Sequence, residues 1–541
     1  MPVLVEQQLL KGGAFLNSDC TVEETFTPED FTEEHRMIAE TTRRFVDNEV
    51  TPRIAQLEQH DWRLARDLIG QAADLGLIGA NIPAAYGGLG LNQTSGALIA
   101  ENTGRCLSFA TTCCAQTGIG LWPIVHFGTD TARSNYLPRI ASGELITAYA
   151  LTEARAGSDA LALGATARLS EDGTHYILNG EKVFITNGGL ADIFVVFAKV
   201  DGSKFSAFIV ETQEGVTPGV EERKMGIRGS STTSLVLTDA TVPRENLLGE
   251  VGMGDKIAFG ILNLGRCKLG AICVGAMKLM VDQATRYAKE RKQFGRSISS
   301  FGAIRAKLAE MTVRTWVGES MVYRTLGLIE AGLRTIDFND SMAWLRGLDE
   351  YAAECSIVKV AVTEYCNYVA DEMVQIYGGY GYLADYPAER AYRDSRLNRL
   401  GEGTNEINRL IISSRLIKSA LRESPPTDAG PVSYEQSLLR RAKTAALTGL
   451  RLAAQMSKLS LSEQQAIMMG IADIIIDTYA MESAILRTQK AGAPQSYVDM
   501  THVFCADAIH RIEAILKNTI SAIDGSGPIA GRQRIAKGIQ L

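Results

Sequence analysis

The spacing of apolar residues changes along the chain, and the changes divide it into regions. From about Thr32 to Leu137 the spacing is helical: Met37, Ile38 and Phe45 fall on one face, and Leu68, Ile69, Ala72 and Leu75 on another. The segment IPAAYGGLG, Ile82 to Gly90, breaks this pattern with Pro and Gly-Gly. From Ala148 to about Gly249 the texture becomes that of strands, in HYILNGEKVFIT, DIFVVFAKV, FSAFIVE and TSLVLTDATV, bounded by Asp-Gly, Asn-Gly and Pro turns. Helical spacing returns from Asp255 to Arg422 and again from Tyr434 to Leu541. Between them the run ESPPTDAGPVS, with three prolines, reads as a linker. The expected organisation is a helical domain over residues 30–147, a β-domain over 148–253, a helical domain over 254–422, a linker over 423–433 and a further helical domain over 434–541.

Composition narrows the function classes. At 541 residues, 46% hydrophobic and 22% charged, the chain suits a multidomain globular protein. A net charge of -7 gives no basic excess for a nucleic-acid partner. Nine cysteines without a CxxC pair suggest buried thiols in a reducing compartment, and six scattered histidines without HExxH suggest no metal site. The N-terminus MPVLVEQQLLKGG lacks the basic and long apolar segments of a signal peptide, and no uninterrupted apolar run reaches the ~18 residues of a spanning helix. A cytoplasmic protein is expected. One segment qualifies this: Ser437 to Ser460 mixes Leu438, Leu439, Ala446, Leu450 and Ala453 with Arg440, Arg441, Lys443, Arg451 and Lys458. A basic amphipathic helix of this kind either packs into a bundle with its basic face wet or lies on the inner face of an anionic membrane.

Several polar and glycine-rich stretches stand out from these helices and strands. In RLGEGTNEINRLI, glycines flank the lone carboxylate of Glu402 just before an amphipathic helix; an acid there suits the helix dipole, and it also suits a base held in a pocket. AYALTEARAGSDALALGA places Thr152, Gly157 and Ser158 where helices give way to strands, and small residues there let a flat ring approach the main chain. VFITNGG and YAKERKQFGRSI share this polar-aromatic character. No GxGxxG opens a βαβ unit, and no Gly-Lys dipeptide is present to build a P-loop. The glycines of QIYGGYGYLADYP follow a helix, as a C-cap would.

Together and in order, LTEARAGSD, NGEKVFITNGGLADIF, KERKQFG, QIYGGYGYLADYPAERAYRD and EGTNEI resemble the acyl-CoA dehydrogenase family over roughly residues 30–420. NGGLADIFVVFAKV, ILNLGR and the helical segment after the linker resemble its very-long-chain branch. The resemblance implies a mainly α, α+β fold: an N-terminal helical domain, a middle β-barrel or sandwich, a C-terminal four-helix bundle and an extra helical domain. It also implies FAD in the cleft, an acyl-CoA substrate, electron-transferring flavoprotein as acceptor and a homodimer. Fatty acyl-CoA of medium to long chain would become trans-2-enoyl-CoA in β-oxidation, by loss of an α-proton and transfer of a β-hydride to flavin N5.

Residue by residue, the resemblance makes Glu402 the α-proton base. Some relatives carry the base just before the arginine that matches Arg266, but here that position is Gly265. Asn263, Arg266, Gly403 and Ser158 would lie on the substrate side. Tyr149, Ala150, Leu151, Thr152, Gly157 and Ser158 would line the flavin edge, with Phe184, Ile185 and Thr186 against its ring. Arg291, Gln293 and Phe294 would reach the pyrophosphate from a neighbouring subunit, and Gln375, Ile376, Gly378, Gly379, Thr404, Asn405 and Glu406 would complete the adenosine side. Where shorter relatives place a Gln, this chain has Phe301-Gly302. An acyl-CoA oxidase and a non-enzymatic respiratory-complex assembly factor are the alternative readings.

Overall fold

The computed structural model describes residues 10–420, 432–454, 456, 461–523 and 526–538. Residues 423–431 of the expected linker, and Lys458 and Ser460 of the basic segment, lie outside the described residues.

The N-terminal helices are α1 Ala14–Asn17, α2 Glu33–Phe45, α3 Ile54–Glu58, α4 Trp62–Asp74, α5 Gln93–Thr103, α6 Leu107–Cys114, α7 Trp122–Phe127 and α8 Asp130–Ala141. Side-chain caps start several of them. The Thr32 hydroxyl accepts from the His35 N–H at 3.2 Å, and Asp61 and Asn92 accept from the Leu64 and Ser95 N–H groups at 3.0 and 2.9 Å. Leu68, Ile69 and Ala72 are buried as their spacing predicts. Met37 and Leu75 are not: Met37 faces outward while polar Thr42 takes the interior of α2, and Leu75 lies beyond the last turn of α4. Between α6 and α7 the chain makes a wide π-helical turn, Ala115–Ile119.

The strands are β1 Thr147–Ala150, β2 Thr166–Leu169, β3 His175–Thr186, β4 Ile193–Val200, β5 Lys204–Glu211, β6 Val216–Pro218, β7 Thr232–Pro243 and β8 Leu247–Leu248. They form one sheet in the order β6-β7-β3-β2-β4-β5-β8, with β1 parallel to β4. Nearly all of β4 is buried on both faces, which explains why DIFVVFAKV reads as a continuous apolar run. The pairing of β3 with β7 shifts register between Lys182 and Ile185, a bulge that matters below.

The next helices are α9 Gly254–Glu290, α10 Gly302–Leu333, α11 Ser341–Glu350, α12 Ala352–Tyr377, α13 Pro387–Ser395 and α14 Asn405–Ala420, with a small hairpin, β9 Lys292–Gln293 and β10 Arg296–Ser297, joining α9 to α10. By length and composition α9 could cross a membrane, despite its scattered charges. Its apolar window is 83% buried inside the protein, as befits the central helix of a bundle.

The last helices are α15 Tyr434–Ala454, α16 Leu461–Lys490, α17 Gln495–Ile523 and α18 Gly527–Gly538. Leu438, Leu439, Ala446, Leu450 and Ala453 of α15 are all buried, so the apolar stripe packs into a bundle and is not free for a membrane. Lys443 departs from the expected wet basic face. It is buried, donating to Glu482 at 2.6 Å and to the Ser18 carbonyl at 2.7 Å. Glu482 also receives Arg324 of α10 at 2.5 Å, so one carboxylate serves two buried cations and docks the last domain on the preceding bundle. Removing one member of a buried ion cluster strands the others. Glu482→Ala should therefore destabilise the full chain by about 3–5 kcal/mol in urea unfolding, and a loss below about 1 kcal/mol would contradict this docking role.

Candidate active site

The loop before α14 has an unusual backbone. Glu402 and Gly403 are consecutive left-handed residues, with φ of 57° and 78°. Glycine adopts this freely, whereas a glutamate there is strained by about 1–2 kcal/mol, so surrounding contacts must hold it. Three interior side chains do so by drawing in the loop carbonyls. Arg266 Nε of α9 donates to the Glu402 carbonyl at 3.3 Å, Lys359 Nζ of α12 donates to the Gly403 carbonyl at 2.7 Å, and Asn408 Nδ2 of α14 donates to the carbonyls of Glu402, Gly403 and Thr404 at 3.3, 2.9 and 3.0 Å. Arg266 is itself oriented by Asn263 Oδ1 at 2.7 Å.

With the main chain so fixed, the Glu402 side chain lies over α9 at Gly265. A Cβ on Gly265 would stand 2.8 Å from Glu402 Oε2 and 3.2 Å from Cδ, so the missing side chain is the space the carboxylate occupies. The residue as a whole keeps some exposure, but Oε2 is shut off from water and has no hydrogen-bond partner. Burial raises the Glu402 carboxyl above the ordinary range, opposed in part by the charges of Arg266 and then Lys359. Burial also pushes the Lys359 amine down to about 8. The Tyr149 hydroxyl is buried without a partner, and it is raised by burial and then by the Glu402 charge. A carboxyl that is dry, unpartnered on one oxygen and raised in pKa is equipped to take a proton.

A second group of residues forms an open edge beside this pocket. After β1 the main chain is clamped from β3: the Val183 N–H donates to the Thr152 carbonyl at 2.9 Å, and buried Lys182 donates to the Leu151 carbonyl at 3.3 Å and to Glu153 at 2.7 Å. Glu153 in turn accepts from the N–H groups of Gly164 and Ala165 at 2.6 and 3.0 Å. Ala150 and Leu151 are thereby buried, Thr152 sits at the rim, and Gly157 and Ser158 are exposed. The bulge in β3 gives Phe184 a φ of 59° and turns its ring out, 66% exposed, while Ile185 remains in the core and Thr186 lies half-buried.

The remaining sequence-predicted residues lie at the far end of α9 and α12. Phe294 and Gly295 form the two-residue turn between β9 and β10, both with positive φ, and the Phe294 ring is 92% exposed. Arg291 and Gln293 are exposed beside it, with the Arg291 guanidinium 5.5 Å from the Tyr380 ring centroid. Gln375, Gly378 and Gly379 are exposed, whereas Ile376 is in the core. Phe301 holds the Arg296 guanidinium at 4.1 Å and the Phe294 ring at 6.0 Å, so it braces the hairpin. Asn405 differs from its neighbours in where its side chain points. The Asn405 side chain is buried and fully engaged, accepting from Lys359 at 2.6 Å and donating to Thr363 and Glu364 at 3.2 and 3.0 Å, so its amide supports the loop from within and is not offered to a cofactor. Thr404 and Glu406 beside it are half-buried and exposed.

Sequence reasoning missed Lys359, Asn408 and Lys182, whose side chains build these surfaces. The signal for two of them was a single lysine inside an apolar string, in SIVKVAV and EKVFIT.

Comparison with known proteins agrees along the chain. Family models described as the acyl-CoA dehydrogenase N-terminal, middle and C-terminal domains match residues 32–144, 148–240 and 252–417, and a second acyl-CoA dehydrogenase C-terminal domain model matches residues 441–527. The chain is 46% identical to a "Probable acyl-CoA dehydrogenase" of Bacillus subtilis (strain 168), covering 95% of this chain and 91% of that one. It is 39% identical to the mitochondrial very long-chain specific acyl-CoA dehydrogenase of Mus musculus, over 64% of this chain and 52% of that one. Among solved structures it is similar to an acyl-CoA dehydrogenase complexed with FAD from Bacillus anthracis, with a TM-score of 0.91 and 47% identity over 95% of this chain and 92% of that one.

The loop anchors carry a prediction of their own. Lys359→Met leaves the Gly403 carbonyl and Asn405 Oδ1 short of a donor and should lower stability by about 1–3 kcal/mol. Because the folded-state amine titrates near 8, below the ordinary lysine value, the wild type binds fewer protons folded than unfolded above that pH. Wild-type stability should therefore gain on the variant from pH 8 upward; a gap in urea midpoints that stays constant across that range would contradict the assignment.

Proposed function

The chain belongs to the acyl-CoA dehydrogenase family, and we propose that it oxidises straight medium- to long-chain acyl-CoA to trans-2-enoyl-CoA with Glu402 as the base that removes the α-proton. The observation that carries this reading is the Glu402 carboxylate: seated on Gly265, with Oε2 dry and unpartnered and its pKa raised.

FAD is the cofactor of the family, and the residues present fit it. Phe184 offers a flat exposed wall, the clamped main chain after Tyr149 offers a rim of peptide groups, and apart from the adjoining residues no atom lies within 4 Å of where a Cβ would stand on Gly157, Gly378 or Gly379. Tyr149 to Thr152, Gly157, Ser158 and Phe184 to Thr186 would hold the ring end. Arg291, Gln293 and Phe294 would reach the pyrophosphate of a second copy, alongside Gln375 to Gly379, Thr404 and Glu406. The protruding hairpin, ending in an exposed Phe294, supports a homodimer in which each copy completes the other's cofactor site. Bound FAD supplies the hydride acceptor at N5, and the electrons pass on to an electron-transferring flavoprotein.

The chain's own residues supply the proton chemistry. The α-proton of a thioester is far less acidic than a carboxylic acid, so a base must gain from desolvation and the enolate oxygen must be met by fixed donors. Oε2 of Glu402 takes the proton. Among the described residues the Glu402 N–H donates to no other group, because the loop is held through its carbonyls, and this leaves it free for the thioester oxygen. Arg266 and Lys359 stabilise the carboxylate before transfer without contacting Oε2, and Arg266, Asn263 and Ser158 complete the substrate side.

Anaerobic addition of acyl-CoA to the purified holoenzyme should bleach its flavin absorbance, and Glu402→Gln should slow bleaching by at least about 10²-fold, the lower range for loss of a general base. Bleaching at the wild-type rate would remove Glu402 from the chemistry. For the wild type, kcat/KM should fall on the acid side with a midpoint above the ordinary glutamate value of about 4.3, since the base works only when ionised. A midpoint at or below that value would contradict the raised carboxyl.

A further inference from the structure

Beneath the Glu402 carboxylate, α9 and the wide turn after α6 meet in an interior wall, where a Cβ on Gly265 would stand 3.4 Å from Ile119 Cγ2. Gly265, beneath the carboxylate, begins that wall. Lys268, three residues further along α9, lies on the same side of the helix. It is buried, and it donates to the Thr117 carbonyl at 2.8 Å and the Thr117 hydroxyl at 3.4 Å, inside the wide turn Ala115–Ile119. Its ammonium stands 5.7 Å from the ring centroid of Trp122.

Cys114 lies between the two. Its thiol responds to the charges of both Lys268 and Glu402, and a Cβ on Gly118 would stand 3.8 Å from Cys114 Sγ and 3.9 Å from Lys268 Cδ. Glu402, Cys114 and Lys268 thus lie near one another along this wall. Among the described residues no carboxylate forms an ion pair with Lys268. A buried ammonium whose desolvation is offset by a carbonyl, a hydroxyl and the face of Trp122, with no counter-charge, is costly. The bond to Thr117 anchors the wide turn, as other buried lysines anchor main chain in this protein, and it also fixes where the charged end stands.

We propose that Lys268 is the specificity-determining floor of the acyl channel: braced on Thr117, its ammonium ends the space beyond the base and sets the longest chain that fits with its α-carbon at Glu402. This rests on the dehydrogenase reading. An acyl chain gains affinity for each methylene that finds dry space, and gains nothing from pressing its methyl end against an ammonium.

The test is calorimetric titration of the holoenzyme with S-alkyl-CoA thioethers from butyl to eicosyl, which lack the thioester carbonyl. Wild-type affinity should rise by about fourfold per methylene and then break off at one length. Lys268→Ala should move the break to longer chains by about four methylenes, the number of heavy atoms removed beyond Cβ. Should that variant not fold, Lys268→Met, which removes the charge, should tighten binding of chains at the break, and Cys114→Phe should move the break to shorter chains. A break that stays in place in every folded variant overturns the proposal. If the break moves as expected but no acyl-CoA bleaches the wild-type flavin, the channel stands and the dehydrogenase reading fails.

Discussion

The site depends on the anchoring of three consecutive carbonyls by side chains from beneath. Glu402 and Gly403 sit in left-handed backbone because Arg266, Lys359 and Asn408 draw their carbonyls into the protein. That turn places the Glu402 side chain over α9, and among the described residues its N–H has no partner. The donors come from α9, α12 and α14, so the packing of three long helices is transmitted to one carboxylate. Strain at a single non-glycine residue is small beside the hydrogen bonds that hold it.

The same logic recurs at the open edge. Lys182, buried within the sheet, ties the segment after β1 to β3 through Leu151 and Glu153, and the bulge next to it turns Phe184 outward. In both places a buried cation organises main chain, and the functional surface is what the main chain then presents. Lys443 and Arg324 on Glu482 use the device a third time, for docking a domain. Buried charge in this protein specifies geometry more than it adds stability.

Much of this was readable in the sequence, and the reasons for the remainder are physical. Alternating runs located β3 and β7 and continuous apolar runs located β4 and β5, because burial on one face or on both is written in the residues themselves. The EGT loop stood out because glycines flanking an acid before a helix are rare without cause. Met37 misled, since local spacing does not show which of two adjacent apolar residues faces the core. Lys359 and Asn408 went unnoticed because their roles are set by carbonyls that tertiary packing brings to them. The Asn405 amide turns inward to Lys359, Thr363 and Glu364, which the motif alone does not show. Side-chain direction at a helix start is a tertiary outcome that a motif does not encode.

The central claim is spatial: a carboxylate over position 265 is the base, whichever backbone carries it. The most direct measurement is anaerobic flavin reduction by acyl-CoA in Glu402→Gly and in the same variant carrying Gly265→Glu, with folding and flavin content verified for both. The account predicts that the single variant is inert and that the second substitution restores measurable reduction, since it delivers a carboxylate from α9 into the vacated space. Equal inertness of two folded, flavin-loaded variants would contradict it.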